Sequence, residues 1–276
     1  MKNQIIIHIG YPKTGTTWFQ TLFYPMVKDY VFFDRKEFYR LLVKSNDDFL
    51  QYVKNKYREC NLIICEEHLI LQRDIETRIK ANRLKEAFNF ENVKIVVFIR
   101  NQKEILASSY SEVVKSQRNI SLNDYIYSLF ETKEILQWDY YSQIKIFETV
   151  FGKSNVKVFL YEDFKANNKE FIRNYIVELN LKINMDEINF RLVNKSLHPY
   201  LIPFVIFFNK VQKTLNVNLN SFSKKIYMRV NNRLSEERIR ISESDKNKIH
   251  DVFSSSNAKI AKEYNLNMRQ YGYPLM

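Results

Sequence analysis

Ile5-Ile6-Ile7-His8-Ile9-Gly10-Tyr11-Pro12-Lys13-Thr14-Gly15-Thr16-Thr17-Trp18-Phe19-Gln20 reads as a buried strand, a tight turn and the start of a helix. Five residues that favour extended backbone end at Gly10, Pro12 bars helix at that point, and Gly15 lets the chain curl before Thr16 and Thr17 begin a helix. The backbone N–H groups of such a turn converge on one spot, where the helix N-terminus adds partial positive charge. Lys13, Thr14, Thr16 and Thr17 add a cation and three hydroxyls, a set that suits phosphate or sulfate oxygens. The plain alternative, an ordinary strand-turn-helix of an α/β protein, has no need of these four side chains within five positions.

The glycine spacing of the nucleotide-hydrolase loop G-x-x-x-x-G-K-[ST] is met at Gly10 and Gly15, but Thr16 stands where its lysine belongs. The cation lies inside the loop instead, and Tyr11-Pro12-Lys13-Thr14-Gly15-Thr16-Thr17-Trp18 resembles the 5'-phosphosulfate loop of sulfotransferases that use 3'-phosphoadenosine 5'-phosphosulfate (PAPS). The resemblance implies that Lys13 contacts the bridging oxygen of the phosphosulfate, that Thr16 and Thr17 hold the 5'-phosphate with Thr14 and Gly15 in the same loop, and that Trp18 stacks on adenine.

Three further strands bear on the resemblance. Asn61-Leu62-Ile63-Ile64-Cys65 delivers Glu66, Glu67 and His68 at its C-terminal end, where ligands bind in open α/β sheets. Bacterial sulfotransferases place Ser-x-Glu there. With Cys65 in the serine's place, the resemblance puts the catalytic base on Glu67, with His68 as the substitute. A solvated strand end or helix cap is the structural alternative. Glu37, nearer the loop in sequence, is another candidate base set in what reads as helix surface. Asn92 to Arg100 is a buried strand ending in arginine, and Ser108 follows eight residues later; in sulfotransferases such a pair holds the 3'-phosphate. Arginine supplies a planar fork for phosphate oxygens. Gln102 replaces the usual proline of that segment, which is expected to loosen the helix start. Val156 to Phe164 reads as another buried strand, and its Tyr161 resembles the tyrosine that lies against adenine, with plain packing as the alternative. Glu162 and Asp163 read as caps of a helix starting near Asn167, and Phe38–Val43, Phe49–Tyr57 and Ile135–Thr149 read as helical stretches by their apolar spacing.

Past residue 190 the resemblance thins. No Arg-Lys-Gly tripeptide follows, and Asn194 and Ser196 are the substitutes suggested by the Asn-x-Ser of bacterial and glycan-directed members. Residues 191–240 carry ten Lys/Arg and two acids, a large share of a net charge of +12. Such a segment suits an anionic acceptor or a peripheral membrane contact, or is simply a solvated surface.

The 276 residues are expected to form a single domain over 1–276, with the family resemblance thinning over about 190–276. Two cysteines without companions suggest neither disulfide nor zinc site, and the start enters the first strand directly, so a cytoplasmic location is expected. The expected fold is a three-layer, P-loop-like α/β domain with a mostly parallel central sheet flanked by helices. The expected activity is sulfuryl transfer from PAPS, leaving adenosine 3',5'-bisphosphate (PAP), to a hydroxyl of a carbohydrate acceptor, without a metal and without a nucleic-acid partner. The alternatives are a P-loop kinase or other phosphotransferase, and a non-enzymatic polyanion- or membrane-binding protein.

Overall fold

Ile5, Ile6 and Ile7 are almost wholly buried because their strand has a parallel neighbour on either side and helices over the sheet. The computed structural model describes residues 3–33, 38, 51–52, 55, 57, 60–70, 74–88, 92–116, 118–191, 193, 195–215, 220–235 and 237–276. In chain order the principal elements are β1 (Ile5–His8), α1 (Thr16–Trp18), β2 (Tyr30–Phe32), β3 (Asn61–Cys65), α2 (Asp74–Phe88), β4 (Val93–Ile99) and α3 (Gln102–Lys115). They continue with α4 (Leu122–Glu131), α5 (Tyr140–Phe151), β5 (Val156–Leu160), α6 (Tyr161–Ala166), α7 (Asn168–Leu179), α8 (Leu201–Leu215), α9 (Asn220–Arg233) and α10 (Glu243–Tyr264). Glu37 and most of the helices predicted over 38–43 and 49–57 lie outside the described residues.

The five strands form one parallel sheet in the order β2-β3-β1-β4-β5. β1 and β3 end at the same level, His8 pairing with Cys65 where the loop begins, while β4 pairs Val96 with His8 and runs on to Ile99. The expected α/β fold with a mostly parallel sheet flanked by helices is the fold observed. By its contacts the chain divides into two compact units, Met1–Arg100 with Gln137–Arg191 and Phe253–Met276, and Asn101–Leu136 with Leu192–Val252. The first holds the sheet. In the second, α3 packs against α4 and α8, and α8 against α9.

Two predicted boundaries differ. The strand read through Phe164 ends at Leu160, and Tyr161 opens α6. Val156, Val158 and Leu160 alternate inward on this outermost strand, and the pattern breaks at Tyr161, where Glu162 and Asp163 favour the first turn of a helix. These acids also accept hydrogen bonds from Tyr273 and Tyr271, each 2.7 Å, so they hold the C-terminal segment to the sheet. The helix predicted over 135–149 is two pieces, a 3-10 turn over Glu134–Trp138 and then α5, because Asp139 caps α5 through Ser142 N.

The core of the first unit is aromatic. Phe19, Phe23, Phe98 and Tyr175 are fully or nearly fully buried, and His8 stacks on Phe98 at 4.9 Å with its edge toward Phe19 at 5.1 Å. His8 Nδ1 lies 2.8 Å from the Tyr24 hydroxyl, which lies 2.6 Å from that of Tyr175. Complete burial lowers the His8 pKa to about 3. The unfolded chain therefore takes up a proton below about pH 6.5 that the folded chain refuses until about pH 3, and stability falls as pH drops through that window. His8→Asn is expected to be less stable than the parent at pH 8 but to lose stability less steeply between pH 6 and 4, by up to about 1.4 kcal/mol per pH unit. Urea unfolding across pH checks it; parallel slopes for the two proteins would refute the assignment.

Candidate active site

The loop after β1 curls because two of its residues adopt left-handed backbone, Lys13 with φ 70° and Gly15 with φ 83°. Glycine takes that conformation without strain and lysine does not, so something must hold Lys13 there. Arg100, at the end of β4, donates from Nη1 to the Lys13 carbonyl at 2.9 Å. Its guanidinium also lies 5.0 Å from the ring centre of Tyr161, and the Tyr140 hydroxyl donates to the Arg100 carbonyl at 2.5 Å. Tyr161 in turn closes over the loop: a Cβ on Gly15 would come within 3.3 Å of its ring. Gly10 is required for a different reason, since a Cβ there would stand 2.6 Å from Nε2 of the immobile, buried His8. Loop, Arg100 and Tyr161 thus form one assembly at a helix start.

The threonines divide their work. Thr14 is fully buried and its hydroxyl donates to the Tyr11 carbonyl, so it locks the turn from within. Thr16 donates to Glu67 Oε2 at 2.9 Å across 51 residues of sequence. That bond brings the carboxylate from the end of β3 to the start of α1. Gln20 supports it by donating to the Cys65 carbonyl at 2.9 Å, and Glu66 N donates to the His8 carbonyl at 3.0 Å.

Glu66, which the sequence left as one of a polar trio, is 1% exposed. Its Oε1 accepts from the backbone N of His68 at 2.9 Å and sits 2.6 Å from His68 Nδ1, while Lys80 Nζ donates to the His68 carbonyl at 2.9 Å. A carboxylate on Nδ1 places the ring proton there and makes Nε2 the basic nitrogen of a half-exposed imidazole. Burial lowers the pKa of Lys80, an effect opposed by the charges of Glu76 and Glu66.

Trp18 is buried among rings, nearly parallel to Phe23 and Phe190 at 5.7 Å from each, and its indole N–H donates to the Asn189 carbonyl at 3.0 Å. In the second unit, Asn101 caps α3 by accepting from Lys103 N at 3.0 Å, which secures the helix start that Gln102 was expected to loosen. Ser108 and Ser196, 88 residues apart, place their hydroxyls 3.1 Å from each other. Asn231 holds the Ser196 segment by donating to the Ser196 carbonyl and accepting from His198 N. Asn194 lies outside the described residues.

Tyr140 and Glu66 are contributors that sequence reading missed. A cavity of about 860 Å³ along β5 is lined by no loop residue, and Lys157 and Lys153 there are paired with Glu178 and Glu263. No chemistry is placed in it.

Residues 2–200 match the family model described as the sulfotransferase domain. The chain belongs to the sulfotransferase family. Among solved structures, this sulfotransferase is similar to one from Alicyclobacillus acidocaldarius, at 17% identity and a TM-score of 0.51, over 81% of this chain and 99% of that one. It also aligns with mouse sulfotransferase SULT7A1 complexed with PAP, at 16% identity and a TM-score of 0.44, over 67% of this chain and 61% of that one. The first likeness extends to the fold. No curated protein matches the sequence significantly. Family membership sets the activity as sulfuryl transfer.

Proposed function

We propose that this sulfotransferase moves the sulfuryl group of PAPS to a carbohydrate hydroxyl, using the loop, Lys13 and the carboxylate end of β3. The Thr16–Glu67 hydrogen bond carries the reading, because it joins an anion-binding turn to a proton acceptor. PAPS supplies an electrophilic sulfur and a phosphate leaving group. The N–H groups of Gly15, Thr16 and Thr17, with the Thr17 hydroxyl, are suited to its 5' end, while the Thr16 hydroxyl keeps its proton on Glu67. Lys13 neutralises the charge that grows on the departing phosphate oxygen. Glu67 takes the acceptor proton as the new O–S bond forms, oriented by Thr16; His68, oriented by Glu66, is the second base within the same turn. The 3'-phosphate is assigned to Ser108 and Ser196 of the second unit, whose hydroxyls meet, and Tyr161 to the adenine side.

Lys13→Ala is expected to stay folded and lose transfer, since its charge acts mainly in the transition state. Glu67→Gln should cost at least about a hundredfold in kcat with little change in PAPS affinity, and His68→Ala much less. A dead His68→Ala protein beside an active Glu67→Gln one, with wild-type transfer falling as an imidazole protonates, exchanges the two roles.

Ser108→Ala should weaken binding of PAP far more than of adenosine 5'-phosphosulfate, since only PAP presents a 3'-phosphate. Arg100→Ala should weaken both, because the guanidinium braces Lys13. Calorimetric titration of the two ligands checks this; equal losses for Ser108→Ala would remove it from the 3'-phosphate.

The carbohydrate reading is supported by six exposed cations, Lys210, Lys213, Lys224, Lys225, Arg229 and Arg233, which suit an anionic glycan. A lipid headgroup is the second reading. With soluble anionic glycans in the absence of lipid, the Lys224→Glu, Lys225→Glu, Arg229→Glu triple variant should show a raised KM, and wild-type KM should rise with salt. Unchanged kinetics would withdraw the basic segment as a reason for a glycan acceptor.

A further inference from the structure

Helix α8 is built inside out. Its inward face carries Ile202 and Val205 but also Asn209 and Gln212, all at most 9% exposed, and Asn209 Nδ2 donates to the Val114 carbonyl of α3 at 2.9 Å. Its outward face carries the larger apolar side chains: Phe204 is 42% exposed, Phe207 62% and Leu215 64%, with Tyr200 at 77% in the turn before the helix. At 100° per residue, Tyr200, Phe204, Phe207, Val211 and Leu215 fall on one stripe, opposite the buried set. Single exposed apolar residues need no explanation, but a stripe running the length of a 15-residue helix does.

The charges around the stripe say what covers it. Lys210 flanks it on α8, and α9, which packs against α8, exposes Lys224, Lys225, Arg229 and Arg233 beside Ile226 and Val230. No acidic residue occurs in sequence between Arg191 and Ser235. A protein partner for this surface would have to be both apolar and acidic. An anionic bilayer offers both at once, acyl chains for Phe204, Phe207 and Leu215 and phosphates for the lysines, and helices of this composition lie in the plane of such a surface. No helix among the described residues is long and apolar enough to cross a membrane, so the contact would be peripheral. We infer that α8 and α9 dock this enzyme on an anionic lipid surface, with Phe204 and Phe207 inserted at the interface. The inference uses cations also cited for a glycan acceptor, and the two readings part at Phe204 and Phe207, which only a bilayer requires.

Sedimentation of the full chain with vesicles tests it, using phosphatidylcholine alone and with about a third phosphatidylserine. Wild type should partition onto the anionic vesicles, and the partition should fall as salt screens the lysines. Phe204→Ser/Phe207→Ser should partition at least about tenfold less, from loss of two inserted side chains, while keeping its melting temperature, since both positions are exposed. Three results would overturn the inference. One is no preference for anionic vesicles. Another is undiminished partition of the phenylalanine variant, which would make the surface a general polyanion site. The last is a wild-type dimer in sedimentation velocity that the variant dissolves without lipid, which would make the stripe a contact between copies.

Discussion

Arg100 donating to the Lys13 carbonyl is the contact on which the loop depends. A non-glycine residue at φ 70° is strained, and a strained turn persists only where its surroundings over-determine it. Here they do so from three directions: the guanidinium on the carbonyl, Tyr161 against Gly15, and Tyr140 fixing the Arg100 carbonyl. The curl of the loop is thereby fixed by the protein's own contacts.

Below the loop, His8 carries the cost of that arrangement. Its ring fills the space against Gly10, so the chain must be glycine there, and its neutrality is imposed by burial rather than by a partner charge. An aliphatic residue would pack without a titration. What the imidazole adds is a hydrogen bond into the Tyr24–Tyr175 hydroxyl pair, which links the loop's foundation to α7. Core, turn and acid response are in this way coupled through one side chain.

The polar end of β3 shows how one strand supplies two proton acceptors of different character. Glu67 reaches back to the loop through Thr16, and His68 is turned outward and held by the buried Glu66. Because successive residues leaving a strand diverge, neighbours in sequence face different surroundings. Glu67 and His68, the two proposed bases, are separable by mutation for the same reason.

By itself the sequence determined the parallel sheet, the anion-binding loop, the acidic end of β3, the arginine closing β4 and the family, because each is written in local pattern: β-branched runs, glycine spacing and a run of eight matching residues. It could not say that Glu66 is buried while Glu67 and His68 are not, since three polar residues at a strand end have no periodicity to sort them. Nor could it find Tyr140, whose bond to Arg100 spans 40 residues, or the meeting of Ser108 with Ser196 across 88. The stripe on α8 was hidden for a further reason: a run as apolar as Tyr200–Phe208 has no polar side, so nothing in it tells which face turns inward. Only the packing of α8 on α3 and α9 decided that, by burying Asn209 and Gln212 and leaving the phenylalanines outside.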